Sequence, residues 1–225
     1  MYRYSAKPYN DSLLKMGVLR IGTLHDFRRS EHKKGIADPQ EGKKTVSHHM
    51  EEFRGSDGAE QPADLKSLTE FNIIGGDVKG AENAVFKNVL LRKKIDHPDC
   101  FIFCTSAFCF RSTMLQFENA DSCVLIKNQI GFFNSLSYAL NSITPVIFRG
   151  VHNVSYQERD ESWNGRDWGH HPALIKSPEF KEQGEIRAIW QPKFNQPITP
   201  LILSHGNLGR FCENVYLSKK QRRTA

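Results

Sequence analysis

The sequence predicts an α+β fold, organised as a single domain with a twisted, mostly antiparallel mixed sheet, short helices and a long polar N-terminal loop. Short strand-like segments outnumber helical ones, and the helical segments fall in the first two thirds of the chain. Residues 99–108, DCFIFCTSAF, are rich in β-branched and aromatic side chains, which is typical of a central strand. A chain of 225 residues is long enough for one sizeable core.

The individual elements follow from the spacing of apolar residues and from helix boundary signals. The alternation of Tyr2, Arg3 and Tyr4 predicts a first strand. The capping residues at 10–12 and the glycine at Gly17 predict the start and the end of a first helix. Further strands are expected near 18–24, 99–108, 122–127, 184–190, 198–206 and 212–218, and two strands joined by a turn are expected within 144–158. Further helices are expected near 112–120 and 128–143.

Two segments are expected not to contribute to the packed core. Residues 26–64 are polar and rich in glycine, histidine and charge, which predicts a mobile loop or a lid. The domain itself is expected to span 1–218, followed by a basic tail at 219–225. Such a tail acts either as a disordered, solubilising end or as a binding arm.

Charge, apolar content and cysteine spacing bear on the partners, the location and the metal content expected of this protein. The chain carries a net charge of +6, which is compatible with a nucleic-acid or phosphate-bearing partner without requiring one. It contains no run of 18 apolar residues and no secretory signal, so we expect no membrane association. The five cysteines do not follow the spacing of zinc ligands. We therefore expect reduced thiols, a cytoplasmic location and no bound metal.

One set of polar residues follows a recognisable order along the chain. Arg3 lies in the first strand, Thr105 and Ser106 end the central strand, and Gln183 and Glu185 precede and begin a late strand. This order resembles the arginine, serine-threonine-serine and Q/E-x-E signature of the ADP-ribosyltransferase superfamily. The match covers about ten residues. Two departures are a cysteine in place of the first serine and the 76 residues between Ser106 and Gln183.

The resemblance implies a role for each residue and NAD as the substrate. Cleavage of the nicotinamide–ribose bond builds positive charge on the ribose, and Glu185 would stabilise that charge. Arg3 would bind the phosphates through its planar guanidinium. Thr105 and Ser106 would brace the strand beneath the nicotinamide and orient the glutamate.

Two further roles are expected at the edges of the same pocket. Gln183 would face the acceptor, since positions two apart on a strand share a face. Tyr4 is a candidate for contact with the cofactor, although Tyr2 and Tyr4 are also well suited to core packing.

The order of segments also resembles a family of uncharacterised bacterial domains found among phage-defence and mobile-element genes. This resemblance covers about 150 residues, from the first strand to the strand that contains Glu185. It implies a toxin or antiviral effector with an antitoxin or defence-system partner. The acceptor of ADP-ribose would be a macromolecule. Basic charge and the loop that contains Trp163 and Trp168 favour nucleic acid slightly over protein, because indoles stack on bases.

Other interpretations of these residues remain open. Glu185 and Arg187 also fit an ion pair on a solvated face, and the two indoles fit a lid over a core. A second function is a non-catalytic module that senses nucleic acid or a phage component through its basic surface. A third is a metal-dependent nuclease that uses histidines together with Asp38 and Glu41. The sequence does not specify the oligomeric state.

Overall fold

The computed structural model of the chain describes residues 1–29, 37–57, 62–74 and 83–217. The strands pair mostly antiparallel and are accompanied by short helices, so the predicted α+β class is confirmed. The chain divides into two compact units. Unit 1 comprises 1–42, 97–157 and 173–225, and unit 2 comprises 43–96 and 158–172.

The helices and strands of the described residues are short; the longest are one thirteen-residue helix and two twelve-residue strands. The helices are α1 (Lys7–Met16), α2 (Pro62–Glu70), α3 (Arg111–Met114) and α4 (Gln129–Asn141). The strands are β1 (Tyr2–Ser5), β2 (Val18–Thr23), β3 (Lys43–Arg54), β4 (Val85–Asp96), β5 (Phe101–Ser106), β6 (Ser122–Ile126), β7 (Val146–Asn153), β8 (Ser155–Tyr156), β9 (Asp160–Ser162), β10 (Ile175–Lys176), β11 (Glu185–Pro192), β12 (Leu201–Ser204) and β13 (Cys212–Val215).

Unit 1 is built on an eight-stranded sheet with β5 at its centre. One path through the sheet runs β12-β2-β5-β1-β6-β13, while β11 pairs with the other edge of β5 and β7 pairs with β11. All of these pairings are antiparallel. A separate two-stranded sheet joins β8 and β10 in parallel.

The sheet divides along one edge of β5. The first half of this edge pairs with β2, where Ile102 lies opposite Gly22. The second half pairs with β1, where Ser106 lies opposite Tyr2. Because β1 and β2 share one edge of a six-residue strand, they diverge from each other and leave a gap beside Cys104.

The main core of unit 1 packs α1 and α4 against the sheet. Leu13 of α1 and Phe132 and Leu136 of α4 are fully buried. They pack in one cluster with Phe103 of β5 and Trp190 of β11. Burial of each large apolar side chain contributes about 1.5–3 kcal/mol, so this cluster fixes the position of β5 and β11.

The first helix begins earlier than the sequence predicts. α1 starts after Ala6, with Pro8 in its first turn, whereas the expected cap at 10–12 lies inside the helix. Proline fits a helical first turn because its missing N–H has no intrahelical acceptor there. The predicted end is confirmed, since Gly17 adopts the left-handed conformation with φ of 64°.

The segment for which a long loop was predicted is divided between unit 1 (26–42) and unit 2 (43–64). The prediction is wrong for residues 43–54 and for residues 62–64, which begin α2. Residues 43–54 form β3, which pairs with β4 along most of its length and with β9 on its other edge. Residues 30–36 and 58–61 of the same segment lie outside the described residues.

The sparse apolar positions of β3 explain why its sequence resembles a loop. Val46, Met50 and Phe53 are buried, and the cluster around Met50 and Phe53 includes Leu68 of α2 and Leu91 of β4. Most other positions of β3 carry polar side chains, so the burial depends on partners that are distant in sequence.

None of the described helices has the length and apolar character needed to cross a bilayer.

Candidate active site

A cavity of about 780 Å³ lies within unit 1, beside the gap between β1 and β2. This volume falls in the range of about 300–1,000 Å³ that is usual for small-molecule sites. Five of the six site residues predicted from the sequence line the cavity wall: Arg3, Tyr4, Thr105, Ser106 and Glu185.

Glu185 is a buried carboxylate held by two cations. Its side chain is 5% exposed, and the two oxygens have different partners. The Nε of Arg187 donates to Oε1 at 2.6 Å, and the Nζ of Lys176 donates to Oε2 at 2.7 Å. The Glu185 N–H donates to the Tyr156 hydroxyl at 2.6 Å, which fixes the backbone at the start of β11.

Arg187 connects Glu185 to a second buried carboxylate. Its two terminal nitrogens donate to the two oxygens of Glu41 at 2.7 and 3.0 Å, and both side chains are 1% exposed. Glu41 also lines the cavity. The result is a neutral chain of four charges, Lys176, Glu185, Arg187 and Glu41. Planar guanidinium groups are well suited to such bidentate pairing.

The electrostatics of this chain keep Glu185 ionised. Burial alone would raise the pKa of the Glu185 carboxyl, but the positive charges of Arg187 and Lys176 outweigh burial and hold the pKa well below its ordinary value. Burial likewise opposes the charge on Arg187, yet Glu185 and Glu41 raise the pKa of Arg187 above its usual range. Both groups are therefore charged at neutral pH.

Arg3 presents a different kind of charge to the cavity. It is half-buried, and its guanidinium donates to the Oδ1 of Asn10 in α1. Burial lowers the pKa of Arg3 to about 10, so the group remains protonated at neutral pH. Within the described ranges no carboxylate lies within ion-pairing distance of Arg3. An anionic ligand would supply the missing countercharge.

The roles proposed for Arg3 and Glu185 imply that the two side chains lie beside each other on one face of the sheet, and the structure contradicts this expectation, because they leave the sheet on opposite faces. Tyr2 and Glu185 both lie opposite Ser106, so these three side chains share one face, and Arg3 projects from the other. Both nevertheless line the same cavity, because it borders the gap in the sheet. A ligand that reached both residues would have to thread this gap.

The gap also exposes main-chain hydrogen-bonding groups of β5. The N–H of Ala107 donates toward β11, so the odd-numbered residues of β5 point their N–H and C=O to β11. The N–H and C=O of Cys104 therefore point to the opposite edge, where no strand in the described ranges is paired with it. The cavity wall thus offers one main-chain donor and one acceptor.

Three other predicted residues stabilise the backbone around Glu185. The Ser106 hydroxyl donates to the Gln183 carbonyl at 2.6 Å, and the Thr105 hydroxyl donates to the Ile186 carbonyl at 3.3 Å. These bonds hold the chain on either side of Glu185. The Tyr4 hydroxyl donates to the Phe108 carbonyl at 2.6 Å and accepts from the Phe110 N–H, which supports the loop after β5.

Gln183 does not occupy the position predicted for it. It ends a 3-10 turn, Pro178–Gln183, and the left-handed Gly184 separates it from β11. Positions two apart share a face only along a continuous strand, and that condition fails here. The Gln183 side chain is buried away from the cavity wall, and its Oε1 accepts from the Nζ of Lys176 at 2.9 Å.

The structure adds Lys176, Arg187, Glu41 and Tyr156 to the predicted set. A signal for Arg187 exists in the sequence, because two opposite charges at Glu185 and Arg187 interrupt an otherwise apolar strand. The pair is buried, so the interpretation as a solvated ion pair is wrong. Lys176 and Glu41 come from distant segments, and no local pattern identifies them.

The aromatic loop of unit 2 packs within that unit, so its interpretation as a base-stacking surface is not supported. Trp163 is buried, and Phe71 contacts both Trp163 and Trp168 edge-on at 5.8 and 5.2 Å. The Nζ of Lys93 lies 3.8 Å from the ring centre of Trp168. The indoles therefore serve the packing of unit 2.

Two of the histidines considered for a nuclease are hydrogen-bonded to other side chains. His48 bonds to Asp64 at 2.6 Å, and His49 bonds to Asn88 at 3.0 Å. In the described part of the chain, no group of three or more His, Cys, Asp or Glu side chains is placed to hold a metal ion. All five cysteines are free thiols, and burial together with the nearby Glu185 raises the pKa of Cys104 well above its ordinary value.

Comparisons of the chain with protein-family models, curated proteins and solved structures gave no match.

Proposed function

We propose that the cavity of unit 1 binds NAD and that the protein transfers ADP-ribose from NAD to a macromolecule. The observation that carries this proposal is the presence of Glu185 and Arg3 on the wall of one cavity. Glu185 is an ionised carboxylate in a fixed orientation, and Arg3 is a cation with no carboxylate partner in the described ranges. The first suits a ribose that becomes cationic, and the second suits phosphates.

The chemistry needs little from the protein besides positioning and charge. The bond between the nicotinamide nitrogen and ribose C1′ breaks, and its electron pair remains on nicotinamide. A nucleophilic group of the acceptor forms the new bond to C1′ and releases a proton. Glu185 accepts a hydrogen bond from a ribose hydroxyl and stabilises the positive charge that develops on the ring. Each Glu185 oxygen has a lone pair left for this bond.

The gap in the sheet accounts for how one ligand contacts both faces. The phosphates lie at Arg3 on one side of the gap, and the reacting ribose lies at Glu185 on the other. The main-chain donor and acceptor of Cys104 complement the carboxamide of nicotinamide, which also carries one donor side and one acceptor. In this arrangement β5 supports the nicotinamide, and the bonds of Thr105 and Ser106 keep Glu185 aligned with it.

The biological setting follows from the resemblance to defence-associated domains. We propose a cytoplasmic toxin or antiviral effector with an antitoxin or defence-system partner. The net charge of +6 favours a nucleic-acid acceptor over a protein acceptor. The indoles of unit 2 give this preference no support, and the basic tail at 219–225 lies outside the described residues.

The binding step is tested with an Arg3→Ala variant and calorimetric titration with NAD. A charge-assisted hydrogen bond contributes about 1.5–3 kcal/mol, so we expect the affinity for NAD to fall by about 10- to 150-fold. Arg149→Ala is the matched control, because Arg149 is an exposed arginine of unit 1 that bonds to Gln191. Equal affinity in the wild type and Arg3→Ala would contradict the assignment of Arg3.

A second candidate function is a sensor that binds the nucleotide without cleaving it. Two observations favour it: Arg3 and Glu185 project from opposite faces, and each Glu185 oxygen already accepts a bond from a cation. The two candidates separate in one assay. A transferase releases nicotinamide in proportion to the ADP-ribose that it transfers, whereas a sensor binds NAD and leaves it intact.

A further inference from the structure

We infer that Lys176 is a positioning residue that orients Glu185 toward the cavity, and that the small β8–β10 sheet serves to place it. This inference rests on the proposed function in assigning the reaction to Glu185. The geometry of the buried charges nevertheless carries it independently of any turnover. The sequence alone predicts no role for this lysine.

Arg187 is divided unequally between its two carboxylate partners. Both terminal nitrogens of its guanidinium bond to Glu41, and one of them also donates to the Ala173 carbonyl at 2.7 Å. Only the Nε is directed at Glu185, and it contacts a single oxygen. Arg187 therefore holds one oxygen of the Glu185 carboxylate and makes no bond to the other.

Lys176 holds the other oxygen of the Glu185 carboxylate. Its Nζ lies 2.7 Å from the Oε2 of Glu185 and 2.9 Å from the Oε1 of Gln183. The same nitrogen lies 4.7 Å from the ring centre of Phe180. The lysine side chain is only 5% exposed, so its ammonium is held by these partners rather than by water.

The pairing of β8 with β10 places Lys176 beside Glu185. Lys176 lies opposite Tyr156 in the parallel pairing of β10 with β8. Tyr156 accepts the hydrogen bond from the Glu185 N–H, while Lys176 holds the Glu185 carboxylate. The two paired residues Tyr156 and Lys176 thus hold the backbone and the side chain of Glu185, respectively. Gln183, which was expected to face the acceptor, instead helps to anchor Lys176.

The charge balance around Glu185 predicts what happens when Lys176 is removed. The groups that face Glu185 are Arg187 from β11, Lys176 from β10, Tyr156 from β8 and Cys104 from β5. Without Lys176, the two carboxylates Glu41 and Glu185 share a single cation. Burial then acts on Glu185 with less opposition, so its pKa rises.

The test is a pH titration of the Glu185 carboxyl carbon by NMR in ¹³C-glutamate-labelled protein, with the signal assigned by its loss in Glu185→Gln. In the wild type we expect Glu185 to stay ionised below the ordinary glutamate pKa of about 4.3. In Lys176→Met we expect titration at least about one pH unit higher than in the wild type. Lys176→Arg is expected to restore most of the difference, because it returns the positive charge.

Lys181→Met is the matched control, since Lys181 is an exposed lysine of the neighbouring turn. Lys176→Gln, which keeps a polar side chain, replaces the methionine variant if that protein does not give a folded spectrum. Identical titration of Glu185 in the wild type and the Lys176 variants would overturn the inference. The measurement needs no NAD, so failure of the wild type to release nicotinamide would remove the proposed function and leave this result intact.

Discussion

Glu185→Gln is expected to lower the release of nicotinamide from NAD by about 10²–10³-fold, the usual effect of removing one preorganised group that stabilises charge in a transition state. Glutamine keeps the size of the side chain and removes its negative charge. The developing positive charge on the ribose then lacks its counterion. The measurement is single-turnover release of nicotinamide, with NAD binding followed separately by calorimetry.

The control for this substitution is Glu179→Gln, which neutralises an exposed glutamate in the turn before β11. We expect Glu179→Gln to retain the wild-type rate. Glu185→Gln should still bind NAD, because Arg3 and the main chain of β5 are unchanged. Equal rates of nicotinamide release in the wild type and Glu185→Gln would show that this carboxylate takes no part in the reaction.

Arg187→Met is expected to lower the free energy of unfolding by about 3–5 kcal/mol, the usual loss when one partner of a buried ion pair is removed. The reason is that Glu41 loses both of its bonds to the guanidinium and Glu185 loses one. The unfolding free energy is measured by denaturation with guanidinium chloride at neutral pH.

Two further variants separate charge from packing in this prediction. Arg149→Met removes an exposed arginine and should change stability by less than about 0.5 kcal/mol. Adding Glu41→Gln to Arg187→Met should recover part of the loss, because it removes one uncompensated buried charge. A decrease in the free energy of unfolding of less than about 1 kcal/mol for Arg187→Met would contradict this prediction and indicate that water screens the charges.

The elements whose burial follows local sequence were predictable. β5 and α4 carry dense apolar residues with the period of their structure, and Gly17 ends α1 with the conformation that glycine favours. β3 was missed because its apolar positions are sparse and are buried by partners that are distant in sequence. The start of α1 was misplaced because the capping residues at 10–12 compete with a proline in the first turn.

The candidate site was predictable only in part, for a related reason. Glu185 and Arg3 stand out by residue type and position in the strands, and both line the cavity. Gln183 was misassigned because a left-handed glycine ends the strand periodicity just before β11. Lys176 and Glu41 reach Glu185 and Arg187 through the tertiary fold alone. Charge pairing of this kind has no signature in the local sequence.

A crystal structure with an NAD analogue whose ribose ring oxygen is replaced by carbon, so that the nicotinamide cannot leave, tests the central claim most directly. We predict that a ribose hydroxyl lies within about 2.6–3.2 Å of a Glu185 oxygen, that the phosphates contact Arg3, and that the carboxamide bonds to the main chain of Cys104. Binding of the analogue outside the cavity would contradict the account. So would binding in the cavity with the phosphates at Arg3 and the ribose beyond hydrogen-bonding reach of Glu185.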